Sequence, residues 1–136
     1  MNLEKSFKRT ILWYFFLLFL YFISTFYYES SEVQEFNNIN FPQWWNNESS
    51  LYAASIFMLI VSLVNLFSLY LLYNFKKNGK KIYIITFVIL ILMGFLTGPL
   101  AADPLTYVIE GLSATLNGAL IVFLYFTPIS KKFNQF

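Results

Sequence analysis

The chain has no cysteine and no histidine. Disulfides, Cys/His zinc sites, His-ligated haem, thiol redox couples and Ser-His or Cys-His nucleophilic pairs are therefore excluded within these 136 residues. Charge is also scarce, at 12% of residues, about half the globular average of roughly 25%. Arg9 is the only arginine, and no lysine or arginine falls inside a long apolar run. So few acid and base groups predict no enzymatic activity and no cofactor. The net charge of +2 is segregated along the chain rather than clustered as a nucleic-acid footprint, so no nucleic-acid partner is expected.

What is present is hydrocarbon. The chain is 58% hydrophobic, concentrated in four runs: Ile11–Tyr28, Leu51–Tyr73, Ile82–Thr97 and Leu105–Thr127. Crossing about 30 Å of lipid takes roughly 20 such residues in a helix. The third run has 16 residues and reaches a full span if Leu100 and the stems of Lys80 and Lys81 extend it. Four runs of this kind leave too little polar surface for a soluble fold. The spans are placed at about 11–28, 51–73, 82–100 and 104–127, in a single domain covering 1–136. The first run follows a basic segment, as a signal peptide does. However, Ser24-Thr25-Phe26-Tyr27-Tyr28 offers no small-x-small cleavage site, which predicts a retained anchor.

The charges alternate from one connection to the next. Lys5, Lys8 and Arg9 precede the first run, Lys76, Lys77, Lys80 and Lys81 separate the second and third, and Lys131 and Lys132 follow the fourth. Glu29, Glu32, Glu35, Glu48 and Asp103 occupy the opposite connections. Basic residues in short loops mark the cytoplasmic side, so both termini are expected in the cytoplasm. The expected fold is an all-α integral membrane four-helix bundle, up-down-up-down.

The connections carry their own signals. Asn78-Gly79 is a turn dipeptide and predicts a tight hairpin between the second and third spans. Gly98-Pro99 is expected to stop the third helix, and Asp103-Pro104 to start the fourth with Asp103 as N-cap. In the extracytoplasmic loop 29–50, Ser31-Glu32-Val33-Gln34 fits a capping box and predicts the start of a short helix. Trp44 and Trp45 follow. They fit a segment folded onto the membrane interface, or else a partner-docking surface. Asn47-Glu48-Ser49 forms a glycosylation sequon.

Polar residues in lipid tend to face the bundle interior, which predicts one polar face per helix. These faces comprise Tyr14, Tyr21, Thr25 and Tyr28 in the first span and Ser55, Met58, Ser62 and Asn65 in the second. The third has Tyr83, Thr86, Met93 and Thr97, and the fourth Tyr107, Glu110, Ala114, Asn117, Gly118 and Tyr125. Glu110 is the one acid within a span. It is either a register-fixing group held by tyrosines, Asn65 or Asn117, or a proton or cation site. Asn65 and Asn117 fit interhelical hydrogen bonding. Gly111, Thr115 and Ala119, with Ala114 and Gly118, form a small-xxx-small pattern suited to close helix approach, within the bundle or in a homodimer. The candidate intramembrane polar site is therefore Glu110, Asn117, Asn65, Ser62 and Tyr107. The candidate interface is Trp44, Trp45, Gly111, Thr115 and Gly118.

Thr97-Gly98-Pro99, Leu112-Ser113-Ala114, Gly118-Ala119 and Leu124-Tyr125-Phe126-Thr127-Pro128 together resemble a family of small bacterial four-helix inner-membrane proteins. These carry a Gly-Pro turn and end in a Tyr-Phe-Ser-Pro-like signature, where this chain has Thr127 for the serine. The resemblance covers the last third of the chain. It implies a bacterial inner-membrane protein and carries over no catalytic residue. Small multidrug exporters differ, since their membrane glutamate lies in the first helix. Glutathione-using membrane enzymes differ in relying on arginines within the helices. The expectation is an accessory, regulatory or partner-binding membrane subunit. The alternative is a small transporter or proton/cation pathway using Glu110 and Asn117. The expected partners are the lipid bilayer and a membrane protein or second copy at the fourth helix.

Overall fold

A computed structural model describes residues 2–27, 30–40, 48–97 and 101–133. Among them there is no strand. The elements are α1 (Leu3–Tyr27), α2 (Ser31–Asn40), α3 (Glu48–Tyr73), α4 (Lys77–Thr97), α5 (Pro104–Phe126) and α6 (Ile129–Lys132). α1, α3, α4 and α5 are long and apolar enough to cross a membrane by length and composition.

α1 starts well before its apolar run. Glu4 in its first turn complements the helix dipole and pairs with Lys8 one turn on, at 3.4 Å. Glu4 also accepts a hydrogen bond from Lys132, 128 residues away.

The α3–α4 hairpin turns three residues earlier than Asn78-Gly79 predicts. α3 ends in a Schellman motif: Phe75 N–H donates to Leu72 O at 3.0 Å, and Lys76 N–H to Leu71 O at 2.9 Å. The left-handed position, usually glycine, is Phe75 with φ 55°. A bulky residue there costs on the order of 1–2 kcal/mol. Burial of its ring, 5.6 Å from Phe7 and 5.5 Å from Phe133, offsets that cost. Asn78 and Gly79 belong instead to the first turn of α4. Gly79 serves close packing, because a Cβ there would lie 2.8 Å from Leu71 Cβ and 2.9 Å from the α3 backbone.

α2 forms where the capping signature predicts, but its cap is Ser30. Ser30 Oγ and O accept from Val33 and Gln34 N–H. Asp103 is the N-cap of α5 by backbone conformation, with Pro104 behind it. Its carboxylate does not cap α5; it accepts Ser30 N–H at 2.9 Å. Asn37 clasps Ala101 in both directions, at 2.7 and 3.1 Å. These bonds fasten α2 to the segment entering α5. Gly98-Pro99, Trp44, Trp45 and the Asn47 sequon lie outside the described residues.

The long helices associate as two pairs. α3 packs along α4 and α1 along α5, while contact between the pairs is much smaller, running from α1 to α3 and through side chains of α4 and α5. α1 and α5 are antiparallel, since Tyr14 meets Asn117 and Ser24 meets Thr106. The core gathers at one end: Phe7, Ile11, Tyr14, Leu69, Leu72, Phe75, Tyr83, Leu120, Leu124, Ile129 and Phe133. The basic clusters converge on the same end. Lys8 and Lys132 lie over Phe75, and Lys80 sits 3.9 Å from the Tyr125 ring centroid.

Candidate functional site

The intramembrane residues singled out by sequence fall into three separate places. The first is interior. Tyr83, fully buried on α4, donates its hydroxyl hydrogen to Asn117 Oδ1 on α5. Asn117 Nδ2 donates to Tyr14 Oη on α1 at 2.9 Å. One amide thus links three helices. Asn65 Nδ2 on α3 donates to Thr86 Oγ1 on α4 at 2.9 Å, and Thr86 donates onward to carbonyls of its own helix. Thr106 on α5 donates to Ser24 on α1 at 3.1 Å. Interhelical bonds of this kind contribute about 0.6–2 kcal/mol each in a membrane.

The second place is the outside of α5. The inward side of this helix carries Thr106, Ile109, Leu120 and Leu124. Tyr107, Glu110, Ala114, Gly118 and Tyr125 are all exposed; Asn117 alone of the predicted polar stripe turns inward. The stripe exists as predicted but lies about a quarter turn away from the core-facing direction. Gly111 and Thr115 share this outer side, and a Cβ added at Gly111 or Gly118 meets nothing within 4 Å. Gly111 and Gly118 therefore do not serve close contact among the described residues of this bundle. Among the described residues, Glu110 makes no ion pair or hydrogen bond. It lies seven residues past Asp103, about 10 Å along the helix.

The third place is a cavity of about 400 Å³ where the two helix pairs diverge. Tyr14 of α1 and Ser62 and Asn65 of α3 reach it, among walls that include Phe15, Leu18 and Leu66. Ser62 is exposed there and, among the described residues, has no hydrogen-bond partner and does not join Asn117 or Glu110. Among the described residues there is no cluster of three or more His, Cys, Asp or Glu able to hold a metal ion.

Sequence reasoning placed Tyr83 and Thr86 on a polar face but not at the centre of the two networks. Their spacing of three, just inside the basic start of α4, is the available signal, because i and i+3 share a helix face. The aromatic cluster of Phe7, Phe75, Phe123 and Phe133 carries no such signal. Its members are far apart in sequence, and one lies in a turn.

By length and composition, four such helices place the chain among multi-pass α-helical membrane proteins. No protein-family model, curated protein or solved structure matches it.

Proposed function

We propose that the chain is an accessory, partner-binding subunit of the bacterial inner membrane, with both termini in the cytoplasm, that docks another membrane helix on the outer side of α5. The supporting observation is the placement of Glu110, Gly111, Ala114, Thr115 and Gly118 together on that side, exposed, with open space over both glycines. Small residues let a second helix approach closely. A lipid-facing carboxylate costs up to about 3 kcal/mol, less near the interface, unless something neutralises it. No lysine or arginine of this chain lies inside an apolar run to do so. The fitting occupant is a helix of another protein that presents a lysine, arginine or amide donor at the depth of Glu110. A second copy would instead set one Glu110 against another.

The test is co-purification in mild detergent, comparing the wild type with a Gly111→Leu/Gly118→Leu chain and with Glu110→Gln. The expected result is a membrane partner carrying a basic or amide residue in a span, lost with the leucines and weakened with glutamine. Self-association alone, abolished by the same leucines, would replace the heteromeric reading with a homodimer. The transport reading requires Glu110 and Asn117 to share a path. Their separation, one outside and one within the tyrosine network, weighs against it in a single copy. Proton or cation flux by the purified chain in vesicles, lost in Glu110→Gln, would restore it.

A further inference from the structure

We propose that the cavity between the helix pairs binds a neutral lipid through a single hydroxyl group, held between Tyr14 and Asn65. The cavity, about 400 Å³, falls within the roughly 300–1,000 Å³ typical of small-molecule sites. Its walls are hydrocarbon and aromatic, with Phe15, Leu18 and Phe22 of α1 facing Leu66 of α3 and Leu90 of α4.

Two buried polar groups among these walls have unused hydrogen-bonding capacity. Asn65 is only 4% exposed. One N–H of its amide nitrogen is given to Thr86, and its Oδ1 accepts no hydrogen bond among the described residues. That oxygen is not sealed in the packing either. Among the described residues, the only sealed side-chain polar atom without a partner is Ser113 Oγ. Tyr14 is likewise 4% exposed. Its hydroxyl oxygen accepts from Asn117, and its proton has no acceptor among the described residues. The site thus offers Asn65 Oδ1 as an acceptor and the Tyr14 hydroxyl as a donor. Buried polar groups normally find partners, so a ligand that completes both is favoured.

A hydroxyl meets that requirement, donating to Asn65 Oδ1 while accepting from Tyr14. Charged heads do not fit, because among the described residues no lysine, arginine, aspartate or glutamate lines the cavity and an unpaired ion is costly to desolvate. Depth narrows the class further. Asn65 is eight residues from the end of α3 at Tyr73, about 12 Å along the helix. A head there lies in hydrocarbon, below phospholipid headgroups. Ser62, Phe15, Phe19 and Phe22 are exposed at the rim, so the opening faces sideways, where a membrane-dissolved molecule can enter. The inference rests on membrane insertion of the chain but not on the docking role of α5.

The experiment uses the full chain in phosphatidylcholine nanodiscs, where retention of the chain in the discs reports its membrane insertion separately. The probe is a photoreactive long-chain isoprenoid alcohol. Competitors are the unlabelled alcohol, its methyl ether, a diacylglycerol and an isoprenoid hydroquinone, which separate the sources of a neutral lipid hydroxyl. Saturable labelling of α1 or α3 walls is expected. The methyl ether accepts but cannot donate, and should compete about tenfold less well than the alcohol, the fold-change expected for one lost hydrogen bond. Leu90→Trp, which fills the cavity, should abolish labelling, and Asn65→Leu should weaken it about tenfold, with helicity by circular dichroism unchanged. Equal competition by alcohol and ether in the wild-type chain would overturn the proposal whatever the variants do. So would labelling that does not saturate, or labelling undiminished by Leu90→Trp.

Discussion

At the basic end of the molecule, four phenylalanines from different parts of the chain meet: Phe7 of α1, Phe75 of the α3–α4 turn, Phe123 of α5 and Phe133 beyond α6. Away from that end the same helices separate into two pairs. There α1 meets α5 through the Ser24–Thr106 bond, and residues of α1 and α3 that line the space between the pairs are exposed, Phe19 and Phe22 on one and Ser62 on the other. One end buries its aromatic rings against one another; the other leaves room beside its polar groups. The contrast separates what holds the fold from what is free to bind.

The contrast breaks most sharply at Phe7. Phe7→Ala removes a fully buried ring from three aromatic contacts and should cost about 3–5 kcal/mol, read by SDS titration of the detergent-solubilised chain. Next comes Gly79→Ala, where the added Cβ meets α3 backbone. An expected loss of about 1–3 kcal/mol in the same titration tests the close approach. Asn117→Ala, midway along the molecule, severs the link to both tyrosines and should cost about 1–2 kcal/mol. In the open half, Ser24→Ala should cost only about 0.6 kcal/mol. At the bottom of the scale, Leu63→Ala on the exposed α3 face should change stability by less than about 0.5 kcal/mol. Equal losses at Phe7 and Leu63 would erase the distinction between the two ends.

Much of this architecture was legible in the chain. Four apolar runs gave four long helices, and a serine-rich start gave α2, displaced by one residue to Ser30. The convergence of basic residues was legible as well, because like segments of an antiparallel arrangement meet at one end. The turn was not, because its left-handed residue is a phenylalanine whose strain is offset by partners distant in sequence. Asn78-Gly79 looked like a turn because glycine serves two purposes, conformational freedom and close approach, and only the second applies to Gly79. The orientation of α5 escaped for a related reason. Inside a lipid span, both a polar interior and a surface awaiting a partner are marked by small and polar residues. Asn117 and Glu110 lie within a quarter turn of each other and face different environments.

The joining of Glu4 to Lys132 across 128 residues of sequence also sets a timetable for synthesis. Phe7 leaves the ribosome early, and Phe133, against which it packs, emerges after every long helix has been made. At about 5–20 residues per second, that interval is on the order of ten seconds. During it, Phe7 and Phe75 lack their last partner. The aromatic cluster therefore acts as a final latch, closing when translation has delivered α6. A nascent chain stalled before Ile129 should leave Phe7 and Phe75 without that latch.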